Sequence, residues 1–129
     1  MAQKKETLIV KKIKDFLNTC KEVKCFKTHG TGFSEAGVHD LIGCASGRFF
    51  SIEVKTPDNK KGVNKDGVTD LQRIFMDEIR MAKGVSFVST SLQQVVNELF
   101  IKGLISQEDM DRCVIKSAAQ SRCRIGSMA

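Results

Sequence analysis

Residues 37–57 read GVHDLIGCASGRFFSIEVKTP. From Val38 to Cys44, Val38, Asp40 and Ile42 alternate with His39, Leu41 and Gly43; from Phe49 to Thr56, Phe50, Ile52 and Val54 alternate with Phe49, Ser51, Glu53 and Lys55. A period of two is the mark of a strand that shows its neighbours two different faces. The Gly-containing stretch Ala45 to Arg48 reads as a turn between the two runs, so the segment predicts a β-hairpin, which Pro57 ends because it has no N–H for the ladder. On the second strand Glu53 and Lys55 share a face, about 6 to 7 Å apart along the chain. Pairing across a short turn brings Asp40 near Glu53.

Acid beside acid needs a reason. Two carboxylates about 4 Å apart repel by ~4 kcal/mol at an effective dielectric near 20, and such a pair is tolerated where one proton is shared or a cation lies between them. Carboxylate oxygens and a strand carbonyl are hard ligands of the kind Mg²⁺ accepts, with water and substrate phosphate in the remaining positions. A cation held by Asp40 and Glu53 would polarise a phosphate and acidify bound water, while the Lys55 ammonium stabilises developing charge or orients the attacking water. The plain structural alternative for Glu53 and Lys55 is an exposed ion pair on an edge strand, worth roughly 0 to 1 kcal/mol.

Upstream of the hairpin, Ile9, Ile13, Phe16, Leu17 and Cys20 recur at helical spacing, with Lys11, Lys12 and Lys14 on other faces, which predicts an amphipathic helix from Thr7 to about Cys20. If that helix reaches back to Glu6, the acid joins the inward side, three and seven residues before Ile9 and Ile13. Glu6 is then either a further carboxylate for the site or a favourable acid near a helix N-terminus. Val23 to Thr28 predicts a first strand and the Gly-rich 29–37 a loop. Downstream, 58–68 is a polar loop; Leu71, Ile74, Phe75, Ile79 and Ala82 predict a second helix stopped at Gly84; Val85 to Ser89 a fourth strand; and Leu92 to Phe100 a third helix stopped at Gly103. A short helix follows from Ser106 to about Ser117, then a loose tail. The order αβββαβα is that of an α/β domain with a mixed sheet.

Composition agrees with one small globular domain. The 129 residues are 41% hydrophobic and 28% charged, enough for one core, and the net charge is +6. That charge is uneven: residues 1–27 carry eight Lys against three acids, 28–101 eight basic against nine acidic, and 102–129 five against three. An acidic middle between basic ends is what a metal-dependent phosphate site would look like, and the basic surplus makes nucleic acid the first candidate partner. The absence of Trp and Tyr weakens a role in stacking single-stranded bases. The charged N-terminus and the lack of any apolar run near 18 residues predict a cytoplasmic protein with no membrane partner. Five cysteines, odd in number and without a CxxC pair, predict buried thiols, not disulfides or zinc.

Gly37-Val38-His39-Asp40, a Gly-containing turn and Ile52-Glu53-Val54-Lys55, set in the helix-first αβββαβ order, resemble the D…ExK signature of the PD-(D/E)xK nuclease superfamily. Within it the chain is most similar to the small stand-alone VRR-NUC proteins, relatives of Holliday junction resolvases. The resemblance spans about residues 4 to 100 and implies a restriction-endonuclease-like αβββαβ core over 1–103, with 104–129 as a helical and flexible extension. It implies an Mg²⁺- or Mn²⁺-dependent DNA endonuclease acting on branched or duplex DNA as a homodimer. Asp40, Glu53 and the Val54 carbonyl would bind metal, Lys55 would be the catalytic lysine, and Glu6 would match the first-helix acid. The family favours Pro before the Asp. Here His39 stands there, and strand alternation points it away from Asp40 into a packing role.

Gln72 matches the family's glutamine on the helix after the third strand, yet Thr69-Asp70-Leu71-Gln72 also fits a capping box that needs no chemistry, as does Ser91-Leu92-Gln93-Gln94. Lys11, Lys12 and Lys14, with Lys60, Lys61 and Lys65 in the polar loop, are candidate phosphate contacts or simply a solvated face. Two other roles fit the same residues: a nuclease-fold DNA-binding module without chemistry, and a subunit of a larger nuclease complex.

Overall fold

A computed structural model describes residues 2–28, 36–56 and 67–115. Four strands, β1 (Val23–Lys27), β2 (Leu41–Ala45), β3 (Arg48–Val54) and β4 (Val85–Ser89), form one sheet in the order β1-β2-β3-β4. The first three are antiparallel and β4 joins β3 in parallel. Parallel neighbours need a crossover, supplied by α2 (Asp70–Met81). α1 (Ala2–Leu17) and α3 (Leu92–Ile101) pack together on the sheet's other face. A fourth helix covers 107–115, started by the Ser106 hydroxyl, which accepts the Asp109 N–H at 3.1 Å. The mixed α/β order expected from the periodicities is the order observed. Among the described residues no helix is long and apolar enough to cross a membrane.

The β2–β3 hairpin turns on two residues, Ser46 and Gly47, both at positive φ (50° and 83°), between paired Ala45 and Arg48. Two left-handed residues give the loop a twist matching that of the strands. The alternation in β3 then sorts its side chains. Phe50, Ile52 and Val54 enter the main core with Ile13, Leu17, Leu41, Val95 and Leu99, all at most 1% exposed. Ser51 and Glu53 face α2, also buried. β3 is a central strand, so the edge-strand reading of Glu53 and Lys55 is corrected: their ion pair sits inside the fold.

Several boundaries differ from expectation. α1 starts at Ala2 rather than Thr7, since Ala-Gln-Lys-Lys-Glu is itself good helix sequence. β2 starts at Leu41 rather than Val38: one further ladder bond runs from the Thr28 N–H to the Asp40 carbonyl at 3.0 Å, and the His39 carbonyl is then taken up by the Thr28 hydroxyl at 2.7 Å instead of a strand neighbour. At the end of α2 it is Lys83, not Gly84, that adopts positive φ (75°), with its N–H on Arg80 O and that of Gly84 on Ile79 O. At the end of α3, Gly103 (φ 79°) takes the left-handed position, as expected from its place after the apolar stripe.

Cys20, Cys25 and Cys113 are buried free thiols, and burial pushes Cys25 up to about 12 and Cys20 up to about 11, leaving both protonated and inert. Cys44 departs from the expected burial: it lies on the α2 side of β2, paired with half-exposed Phe49, and is exposed. The outer edge of β1 is closed by one side chain, because Asn18 donates Nδ2 to the Cys25 carbonyl and accepts the Cys25 N–H at Oδ1, both at 2.8 Å. Leu104, Ile105 and Cys113 belong to the same core as α1 and the sheet.

Candidate functional site

The hairpin register runs Leu41↔Ile52, so Asp40 stands opposite Glu53, one step beyond the last β2 pair. Asp40 Oδ2 accepts the Val54 N–H at 2.9 Å, which ties the carboxylate to the end of β3. In an extended strand a residue's N–H and C=O project to the same edge, so the Val54 carbonyl also lies on the Asp40 side. The juxtaposition expected from alternation is present.

Glu53 is 3% exposed. Its two oxygens differ. Oε2 accepts from Gln72 Nε2 at 2.8 Å and pairs with Lys55 Nζ at 3.2 Å. Oε1 is buried with no hydrogen-bond partner among the described residues. Burial, and next the charge of Asp40, push the Glu53 carboxyl up to about 8, against the pull of Lys55. A buried acceptor left open costs free energy on the order of 1 to 3 kcal/mol, so it calls for a ligand.

Gln72 realises both sequence readings at once. Its Oε1 accepts the Thr69 N–H at 2.9 Å and its N–H goes to Thr69 Oγ1 at 3.2 Å, a complete capping box, while its amide nitrogen is spent on Glu53. The second box is half formed. Ser91 Oγ accepts the Gln94 N–H at 3.2 Å, but Gln94 Oε1 turns to the Thr90 N–H at 2.8 Å. Glu6 lies in the second turn of α1, so it is past the N-terminal turn where the dipole acts; its Oε1 accepts the Thr56 N–H at 3.4 Å. It is thus held at the sheet end where β3 leaves the fold.

Of the lysines, Lys11 is exposed and paired with Asp15 at 2.6 Å, Lys12 is exposed, and Lys14 is half-buried. Lys60, Lys61 and Lys65 lie outside the described residues.

His39 is fully buried and packs edge-on against Phe75, with ring centroids 4.9 Å apart, so the packing role is as expected, but its direction is corrected: residue 39 precedes β2, strand alternation does not govern it, and its ring lies on the α2 face beside Ser51. What the periodicities did not reveal is its polar company: Nε2 lies 3.0 Å from the Gln72 carbonyl and Nδ1 3.1 Å from Ser51 Oγ, which bonds to Ser86 Oγ. Ser51 on a face with no other reason for a serine was the available signal. Thr56, 3% exposed with no partner for its hydroxyl among the described residues, was also missed, since nothing in an isolated strand end separates it from a solvated threonine.

Two carboxylates, one of them with a buried oxygen left open among the described residues, and a main-chain oxygen fit a small hard cation, which needs only one or two carboxylates and otherwise keeps water or binds phosphate. Among the described residues no three His, Cys, Asp or Glu side chains converge on one point, so the set is not a closed all-protein cage. A concavity of about 500 Å³ between α1, α3 and the fourth helix lies elsewhere. Its arginine, Arg112, is already paired with Asp109 at 3.0 Å and stacked on Phe16. No protein-family model and no curated protein matches the chain.

Proposed function

We propose that the chain is a divalent-metal-dependent DNA endonuclease with a restriction-endonuclease-like αβββαβ core, in keeping with its resemblance to the VRR-NUC proteins. The observation that carries the reading is Glu53: a buried carboxylate with one oxygen held by Lys55 and Gln72, the other open among the described residues, and a second carboxylate opposite it. Asp40, Glu53 and the Val54 carbonyl would hold Mg²⁺ or Mn²⁺, with Glu6 close to the same sheet end. When bound, the cation supplies charge stabilisation at a phosphate and an acidified water.

The chain's own residues do the rest. Gln72 and Lys55 fix the rotation of the Glu53 carboxylate, so Oε1 stays presented without rearrangement. The Val54 N–H does the same for Asp40. The Lys55 side chain, 14% exposed and 3.2 Å from Glu53 Oε2, can orient a water or an anionic oxygen there. Lys12 and Lys14 on α1 offer phosphate contacts that position DNA. A homodimer would present two such centres to a four-way junction.

The test is cleavage of junction, flap, splayed-arm, nicked and linear DNA with Mg²⁺ or Mn²⁺, for the wild type and Asp40→Asn, which keeps an acceptor for the Val54 N–H. Metal-dependent cleavage by the wild type, lowered at least about a hundredfold in the variant, is the expected result. Equal residual activity in the two proteins would sink the assignment.

A further inference from the structure

We propose that Gly37 and His39 are positioning residues, which seat the first turn of α2 so that Gln72 reaches Glu53. The inference rests on the metal-site reading for its consequence, but not for its geometry. Nε2 of His39 faces the Gln72 carbonyl, which can only accept, so Nε2 carries the proton and Nδ1 is the acceptor. The Ser51 hydroxyl therefore donates to Nδ1 and itself receives from Ser86, its register partner on β4. Two neighbouring strands thus orient the imidazole, and the imidazole holds one carbonyl of α2.

The neighbouring carbonyl lies close against Gly37. A Cβ at that position would fall 2.5 Å from Leu71 O and 3.0 Å from Leu71 Cβ, and its φ of 88° disfavours any side chain. The backbone of residue 37 therefore touches residue 71, and the side chain of residue 39 bonds residue 72. The next residue along the chain is Asp40. One short segment, Gly-Val-His-Asp, fixes both the carboxylate opposite Glu53 and the helix turn that carries Gln72.

A buried histidine with both nitrogens committed specifies geometry more than it adds stability, since an apolar residue of similar size would fill the space without desolvating two polar atoms. What the geometry specifies is the reach of Gln72, 2.8 Å from Glu53 Oε2. Displacing a positioning group by about 1 Å is enough to cost two orders of magnitude in rate.

The test uses the full chain with His39→Phe, which keeps a ring against Phe75 and removes both hydrogen bonds; His39→Gln, whose amide can still donate to the Gln72 carbonyl; Ser51→Ala; Gln72→Ala; and the His39→Phe/Gln72→Ala pair. Three readouts are taken: Mn²⁺ affinity by calorimetry, DNA cleavage, and the ¹⁵N signals and hydrogen exchange of the Gln72 side-chain amide. We expect His39→Phe to weaken Mn²⁺ binding and slow cleavage about ten- to a hundredfold, to expose the Gln72 amide to exchange, and to add nothing to Gln72→Ala in the pair; His39→Gln recovers most of each. Should His39→Phe fail to fold, Ser51→Ala shows the same displaced amide in smaller degree. Losses that add in the pair, or a Gln72 amide unchanged in the folded variants, overturn the proposal. A wild type that neither binds Mn²⁺ nor cleaves overturns the metal reading instead, and the amide signals still decide the positioning.

Discussion

The side chain of Gln72 is divided between two partners, Thr69 N–H at its oxygen (2.9 Å) and Glu53 Oε2 at its nitrogen (2.8 Å). A glutamine that caps a helix is thereby also the buried donor that leaves Glu53 one free oxygen. The two roles separate by substitution. Gln72→Ala loses both and costs about 1 kcal/mol for the Thr69 N–H bond, with the N-cap bond to Thr69 Oγ1 kept, and a further ~1 kcal/mol or more for the buried acceptor left behind. Gln72→Glu keeps an acceptor for Thr69 but turns an oxygen toward Glu53. Chemical denaturation at pH 8 is expected to find it less stable than Gln72→Ala, with the gap closing at pH 5, where a carboxyl can protonate.

The pH dependence of stability follows from Glu53. Its folded value is raised to about 8 from an ordinary 4.5, chiefly by burial and then by Asp40. Between those values the folded protein holds a proton that the unfolded chain has released, so this contribution is full below about pH 4.5 and is lost as the pH rises toward 8. A divalent cation competes with that proton. Mn²⁺ is therefore expected to raise the melting temperature more at pH 8 than at pH 6, and Glu53→Gln to remove both the metal effect and the pH slope. Scanning calorimetry with and without Mn²⁺ across this range is the check; a flat response would contradict it.

Gly37→Ala forces a side chain into positive φ and against the Leu71 carbonyl. The expected cost is about 1 to 3 kcal/mol, read as a lower denaturation midpoint. Gly47→Ala, where a Cβ meets nothing within 4 Å, separates the effect of φ from that of the contact: it should cost less.

Asn18→Ala opens the outer edge of β1 by removing both bonds to Cys25. A loss of about 1 to 2 kcal/mol is expected from the two hydrogen bonds, together with concentration-dependent self-association through the freed N–H and C=O groups, measured by light scattering.

If α1 meets DNA, replacing a lysine that touches phosphate lowers the slope of log affinity against log salt by roughly 0.9. Lys12→Ala is expected to show this more fully than Lys11→Ala, because Lys11 already has Asp15 at 2.6 Å. Unchanged slopes for Lys11, Lys12 and Lys14 would make the basic side of α1 a solvated face.

Element order, the approach of Asp40 to Glu53 and the shared face of Glu53 and Lys55 were legible in the sequence alone, because these follow from a period of two, a short Gly-containing turn and chain connectivity, all local quantities. It also carried the cap on α2, since Thr69 and Gln72 interact within one turn. Packing had to supply the burial of β3 in the middle of the sheet, which turns an ordinary ion pair into a buried carboxylate with one oxygen open among the described residues, and the commitment of Gln72 to Glu53 across 19 residues. The His39–Ser51–Ser86 connection is of the same kind: its members come from the β2 entry, β3 and β4, and they meet because the parallel β3–β4 register sets Ser51 beside Ser86. Periodicity assigns a face to each residue, whereas the packing of α2 on that face decides which polar atoms find partners and which one is left open.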